Sequence, residues 1–120
     1  MKKTLLTLAI AFAFAACKST KEAAKTTTVT AKIDCTSSTL TYTSDIKAII
    51  ETNCSQCHNG NYEAGYNFLT VESVKKAASN GELLRSIKHE KGIDAMPANA
   101  DKLDDTTIRK IECWINNGMN

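Results

Sequence analysis

Five consecutive residues carry chemistry that their neighbours do not: Cys54-Ser55-Gln56-Cys57-His58. Two thiols separated by two residues, with an imidazole directly after the second, form the attachment pattern of a c-type haem. Each thiol adds to one vinyl group of the porphyrin, and the two thioethers hold one edge of the macrocycle. The histidine one residue on then falls beneath the iron and offers a ring nitrogen as axial ligand. A zinc site would ask for a second cysteine pair or a histidine pair at ligand spacing, which this sequence lacks. A redox C-x-x-C would ask for a βαβ context, and the flanks carry no strand pattern.

The sixth iron position needs a second donor. Met96 is the expected one. It lies 38 residues after His58, in a loop stiffened by the chain's single proline, Pro97. A thioether is a soft, neutral ligand that suits iron cycling between two oxidation states, and it raises the potential relative to a second imidazole. His89, the only other histidine, is the rival donor, expected at a solvated helix end between Lys88 and Glu90. Met119 sits next to the end of the sequence, where fraying is the rule. Phe68, Leu69, Leu83, Leu84, Ile87, Ile93 and Trp114 are the apolar residues expected around a haem.

The elements that must position these groups read as helices. Ser44 is the expected cap of a first short helix, with Asp45 at its positive end. Ile46, Ile49 and Ile50 make one stripe at i, i+3 and i+4, and the stripe stops at Asn53, just before the motif. Asn59-Gly60-Asn61 signals a turn. Thr70 suits the cap of a second helix from Val71 to about Ser79, ended by Asn80-Gly81. A third helix covers Glu82 to Lys88. A loop from Glu90 to Lys102 holds Met96. A last helix starts at Asp104 or Asp105, carries Ile108, Ile111 and Ile115 on one face, and ends at Gly118. No segment alternates as a strand would, so the expected class is all-α.

This order resembles a class I cytochrome c. Tyr42-Thr43-Ser44-Asp45-Ile46, then Cys54-Ser55-Gln56-Cys57-His58-Asn59-Gly60, then Met96-Pro97, Leu103, Ile108, Ile111, Trp114-Ile115 and Gly118 are similar to the small planctomycete-type cytochrome c domains. The resemblance covers roughly residues 42–118. It implies about four helices around one haem, with the first and last helices crossing, one covalent haem c with its iron, and electron transfer between redox protein partners. Two departures stand out. Ala98 follows Met96-Pro97 where a second proline is frequent, and the Gly-Pro that many class I cytochromes place after the attachment site is missing.

The first residues read as an address. Lys2 and Lys3 precede an apolar run from Leu5 to Phe14, the length of an export signal core and too short to span a bilayer. Phe14-Ala15-Ala16-Cys17 then looks like a bacterial lipobox, with cleavage before Cys17 and a diacylglycerol on its thiol. The expected organisation is a signal at 1–17, a tether at 18–34 and a cytochrome domain at 35–120. From Lys18 to Ser44, thirteen of 27 residues are Ser or Thr and no period persists, the composition of a solvated tether. The expected location is the bacterial cell envelope, lipid-anchored in a bilayer and facing the periplasm or the exterior. With Lys2 and Lys3 gone, basic and acidic residues balance at 13 each, so nothing suggests a nucleic acid partner.

Five cysteines are present. Lipid accounts for Cys17 and haem for Cys54 and Cys57, which leaves Cys35 and Cys113 in an oxidising compartment where thiols pair. An intrachain bridge is expected, against two free thiols or an intermolecular bond. At about 100° per residue, Cys113 falls roughly 160° from the Ile108–Ile111–Ile115 stripe and should face outward. The functional expectation is a carrier of single electrons rather than a catalyst. A peroxidase-like enzyme or a gas-binding sensor remains the alternative, and both need the sixth iron position open.

Overall fold

The computed structural model describes residues 33–61 and 65–120. The expected signal at 1–17, with Cys17, and all but the end of the expected tether lie outside the described residues. Among the described residues every regular element is helical: α1 (Lys47–Asn53), α2 (Val71–Ser79), α3 (Glu82–Ile87) and α4 (Asp105–Asn116). None is long and apolar enough to cross a membrane.

The chain enters α1 through a π-helical turn, Tyr42–Ile46, capped three residues earlier than the serine suggested by sequence. Thr41 is the cap, its hydroxyl oxygen accepting from the Ser44 N–H at 3.2 Å, while the Asp45 carboxylate accepts from the Thr41 N–H at 2.9 Å. The two side chains satisfy each other's ends of the turn, so the wider first turn moves the start back and Ser44 becomes a donor inside it. Ile46 and Ile50 are fully buried from this stretch.

The later boundaries follow their local chemistry closely. The Thr70 hydroxyl accepts from Ser73 N at the start of α2, and the Asp104 carboxylate accepts from Thr107 N at 3.0 Å at the start of α4. α4 ends in a Schellman closure. Gly118, at φ 87, lets its own N–H reach Ile115 O at 3.1 Å and the Met119 N–H reach Trp114 O at 2.9 Å. Met119 is therefore packed against the core rather than frayed. The Asn120 carbonyl accepts from Tyr42 N at 2.7 Å and from Trp114 Nε1 at 3.0 Å, which ties the end of α4 to the opening turn. The opening turn also packs directly on α4, and α3 packs between α2 and α4.

Ile108, Ile111 and Trp114 of α4 join Ile46, Ile50, Val74, Leu83 and Ile87 in one core. Cys113, on the opposite face, is nonetheless fully buried. The outward direction drawn from the helical wheel is right, but a turn at 34–38 lies over that face. Cys35 and Cys113 are bonded, with Cα atoms 4.7 Å apart. Asn117 Nδ2 donates to Cys35 O and Ser38 O at 2.9 and 2.8 Å, and Arg109 Nε donates to Ile33 O at 3.0 Å. α4 is thus covered on two faces, by the core and by this strap.

Candidate functional site

The end of α1 sets the attachment motif. Cys54 is its C-cap, and the chain coils on so that Cys57 N and His58 N both donate to Cys54 O, at 3.2 and 3.0 Å. Gly60, at φ 82, then turns the backbone back, helped by Asn59 Oδ1 accepting from Asn61 N. A Cβ at Gly60 would meet Asn67 Nδ2 at 3.0 Å, so the returning strand of loop passes close. That return brings Phe68 N to His58 O at 2.6 Å and stacks the Phe68 ring on the His58 imidazole, centroids 4.7 Å apart.

His58 is buried, 8% exposed, and its Nδ1 lies 3.3 Å from the Tyr66 carbonyl oxygen. A carbonyl only accepts, so this contact places the ring proton on Nδ1 and leaves the Nε2 lone pair free to bind a metal. The backbone contact that a Gly-Pro segment makes in many class I cytochromes is made here by Tyr66, eight residues after the histidine. Sequence spacing had no means of finding it, because every residue type has a carbonyl to offer.

Cys54, Cys57, His58 and Met96 line one cavity of about 480 Å³, within the roughly 300–1,000 Å³ of cofactor-sized pockets. Its walls include Phe68, Leu83, Ile87, Ile93 and Leu103. Four of the seven apolar residues expected around a haem are therefore there. Leu84 and Trp114 are not: Trp114 is fully buried against Tyr42, ring centroids 5.8 Å apart. Leu69 points to solvent at 63% exposure. Tyr66 and Glu82 on the wall were not foreseen. The Tyr66 hydroxyl donates to the Glu82 carboxylate and accepts from Asn80 Nδ2, and the carboxylate's hold on that proton pushes the phenol's pKa up.

The donor set fits a covalent haem better than a thiolate site. Both thiols are free. Burial pushes Cys54 up to about 11, so it stays a neutral thiol. A redox or metal-binding C-x-x-C lowers its thiol pKa instead. Among the described residues no group of three or more Cys, His, Asp or Glu side chains converges as a metal site would require. The neutral, buried sulfur suits a thioether product. Among the described residues the wall's charged groups are Glu82 and Asp94, with no lysine or arginine. Arg85 is engaged with Glu90 at 3.4 Å.

His89 does not line the cavity. It is half-buried, and its Nε2 lies 3.1 Å from the Met96 carbonyl oxygen. The ring therefore touches the backbone of the expected ligand.

The model of a family described as cytochrome c oxidase, cbb3-type, subunit III matches residues 43–115, well over half of the chain. No curated protein and no solved structure gives a significant match. The matched span opens inside the first helical turn and closes on α4, so it contains the whole cavity. A cytochrome c domain of this kind carries covalent haem c with its iron, and its partners are redox proteins. The chain belongs to that family, through a class I cytochrome c-like domain of all-α fold.

Proposed function

We propose that the protein is a membrane-tethered, monohaem carrier of single electrons with His58 and Met96 as the axial iron ligands. Cys54 and Cys57 hold the haem through thioethers. His58 is kept in its ligating tautomer by the Tyr66 carbonyl. When bound, the haem supplies a one-electron couple at iron, and His/Met ligation places its potential on the high side for a c-type site. The apolar wall of Phe68, Leu83, Ile87 and Ile93 keeps water from the iron, and little in the protein has to rearrange on electron transfer.

The observation that carries this reading is the meeting of Met96 with His58 and the two thiols at one cavity. Met96 is far from them in sequence, and a methionine that only filled core would not need to face them. In this reading Cys17 is the lipidated N-terminus of the mature protein, residues 18–34 are a tether, and residues 35–120 form the carrier domain. The protein is then held on a bilayer of a bacterial cell envelope, on the periplasmic or outer side.

Mass spectrometry and ligand binding test the reading together. The mass should exceed the processed chain by one haem that acid-acetone does not extract. The wild-type ferrous protein should resist carbon monoxide. Met96→Ala should keep its haem, lower the potential and open the iron to carbon monoxide. A wild type that binds carbon monoxide readily, and a Met96→Ala variant with an unchanged spectrum and potential, would make Met96 core and favour an open-site enzyme or sensor.

A further inference from the structure

α3 is closed by a residue of an unexpected type. Lys88 is its C-cap, and His89, the next residue, sits at φ 55. That is the left-handed conformation in which glycine is at ease and a side chain is strained. The closure itself is ordinary. His89 N–H donates to Ser86 O at 3.0 Å and Glu90 N–H to Arg85 O at 3.1 Å. α4 is closed by the same pair of bonds with Gly118 in the corresponding place. Backbone chemistry alone would put glycine at both ends.

The imidazole supplies what glycine cannot. Its Nε2 donates to Met96 O at 3.1 Å, while Met96 N–H donates to Ser86 O at 3.1 Å. Both backbone polar groups of Met96 are therefore held by the last turn of α3 and the residue that closes it. The same short helix puts Leu83, Ser86 and Ile87 on the cavity wall. The Met96 backbone is thus referenced to the wall that faces the haem, although Met96 itself sits in a loop without regular structure.

We propose that His89 is a positioning residue for the sixth iron ligand, its ring fixing the Met96 carbonyl so that the thioether is presented to the cavity. The strained conformation at position 89 persists because this contact outweighs the ease of glycine. The proposal rests on the reading of Met96 as the ligand. Without the ring, the loop keeps only the Ser86 bond at this point, and the form with Met96 swung away gains population.

The test uses the haem-loaded protein and three variants. His89→Gly keeps the helix closure and removes the ring. His89→Gln restores an N–H donor at similar reach. Met96→Ala sets the fully open limit. The readouts are carbon monoxide affinity of the ferrous protein and the weak far-red band of a ferric haem with a thioether ligand. His89→Gly should bind carbon monoxide about five-fold more tightly than wild type, the population change that loss of one ordinary hydrogen bond allows. It should also lose part of the far-red band, and His89→Gln should recover both. A role confined to ending α3 predicts the opposite, since glycine serves that place better and would leave both readouts at wild-type values. His89→Gly matching wild type while Met96→Ala is open overturns the proposal and leaves Met96 as ligand. Met96→Ala matching wild type removes the ligand assignment and this proposal with it.

Discussion

Breaking the Cys35–Cys113 bond should cost this domain a large share of its stability while leaving the haem site's geometry in place. The bond joins residues 78 apart in sequence, and every residue lining the cavity lies between them. In the chain-entropy model a closed loop of that length removes about 15 cal/mol/K from the unfolded ensemble, or about 4.5 kcal/mol near room temperature. The native side changes less. Asn117 still grips Cys35 O and Ser38 O, and Arg109 still donates to Ile33 O. Cys113 is fully buried, so trimming its sulfur adds a small cavity cost of about 1 kcal/mol or less. A Cys35→Ala/Cys113→Ala double variant should therefore lose about 4.5–5.5 kcal/mol, against the roughly 5–15 kcal/mol that holds a whole domain together. Urea unfolding of the haem-loaded protein, followed by far-UV circular dichroism, measures it. With a slope of about 2 kcal/mol/M the midpoint should fall by about 2–3 M, and the haem spectrum of the folded variant should be unchanged. A midpoint moved by less than about 0.3 M would refute the reasoning. It would mean that the strap's hydrogen bonds, or structure persisting in the unfolded chain, already supply the constraint.

Two further outcomes follow from particular contacts, and a third from the proposed lipid anchor. In protein made without haem attachment, Cys57 is exposed and Cys54 is buried with its pKa pushed up to about 11. Iodoacetamide at pH 8 should label Cys57 well before Cys54, whose thiolate is then about one part in a thousand. Because the folded pKa of Cys54 lies above its ordinary 9.0, its contribution to that form is complete below pH 9 and is lost as pH rises towards 11; equal labelling of both thiols would show that the cavity forms only around the haem. Glu112 accepts from Lys88 at 2.7 Å and Arg109 at 2.6 Å, which holds its carboxyl below the ordinary 4.5. Glu112→Gln should cost about 0.5–1 kcal/mol at neutral pH, and the gap from wild type should close as pH falls below 4.5 and the native carboxylate protonates; a gap independent of pH, read by thermal melts across the acid range, would rule out the ion pairs as its source. Replacing Cys17 by Ser should move the protein from the membrane fraction to the soluble one, and a variant that stays membrane-bound would place the anchor elsewhere.

Much of the chemistry was legible because it is local. Cys54, Cys57 and His58 are close neighbours in the chain, and their spacing alone names a covalent haem. Thr70, Asp104, Gly81 and Gly118 each act on a backbone group within a few residues, so the limits of α2 and α4 follow from type and position. The isoleucine stripes of α1 and α4 repeat at the helical period and show which faces go inward. What only the tertiary structure decided involves residues far apart or backbone atoms that carry no sequence signal. The Tyr66 carbonyl reaches His58 through a turn at Gly60, and any residue type has a carbonyl to offer. Cys113 faces away from the isoleucine stripe, as the helical period requires, yet it is buried because a strap some 78 residues earlier lies across it. His89 and Met96 looked like rival donors from sequence. In the folded chain they are partners, because the left-handed turn at His89 aims its ring at the Met96 backbone while Met96 lines the cavity. Residue types and spacings determine which groups can do chemistry, whereas the path of the loops determines which of those groups share a cavity and which hold the others in place.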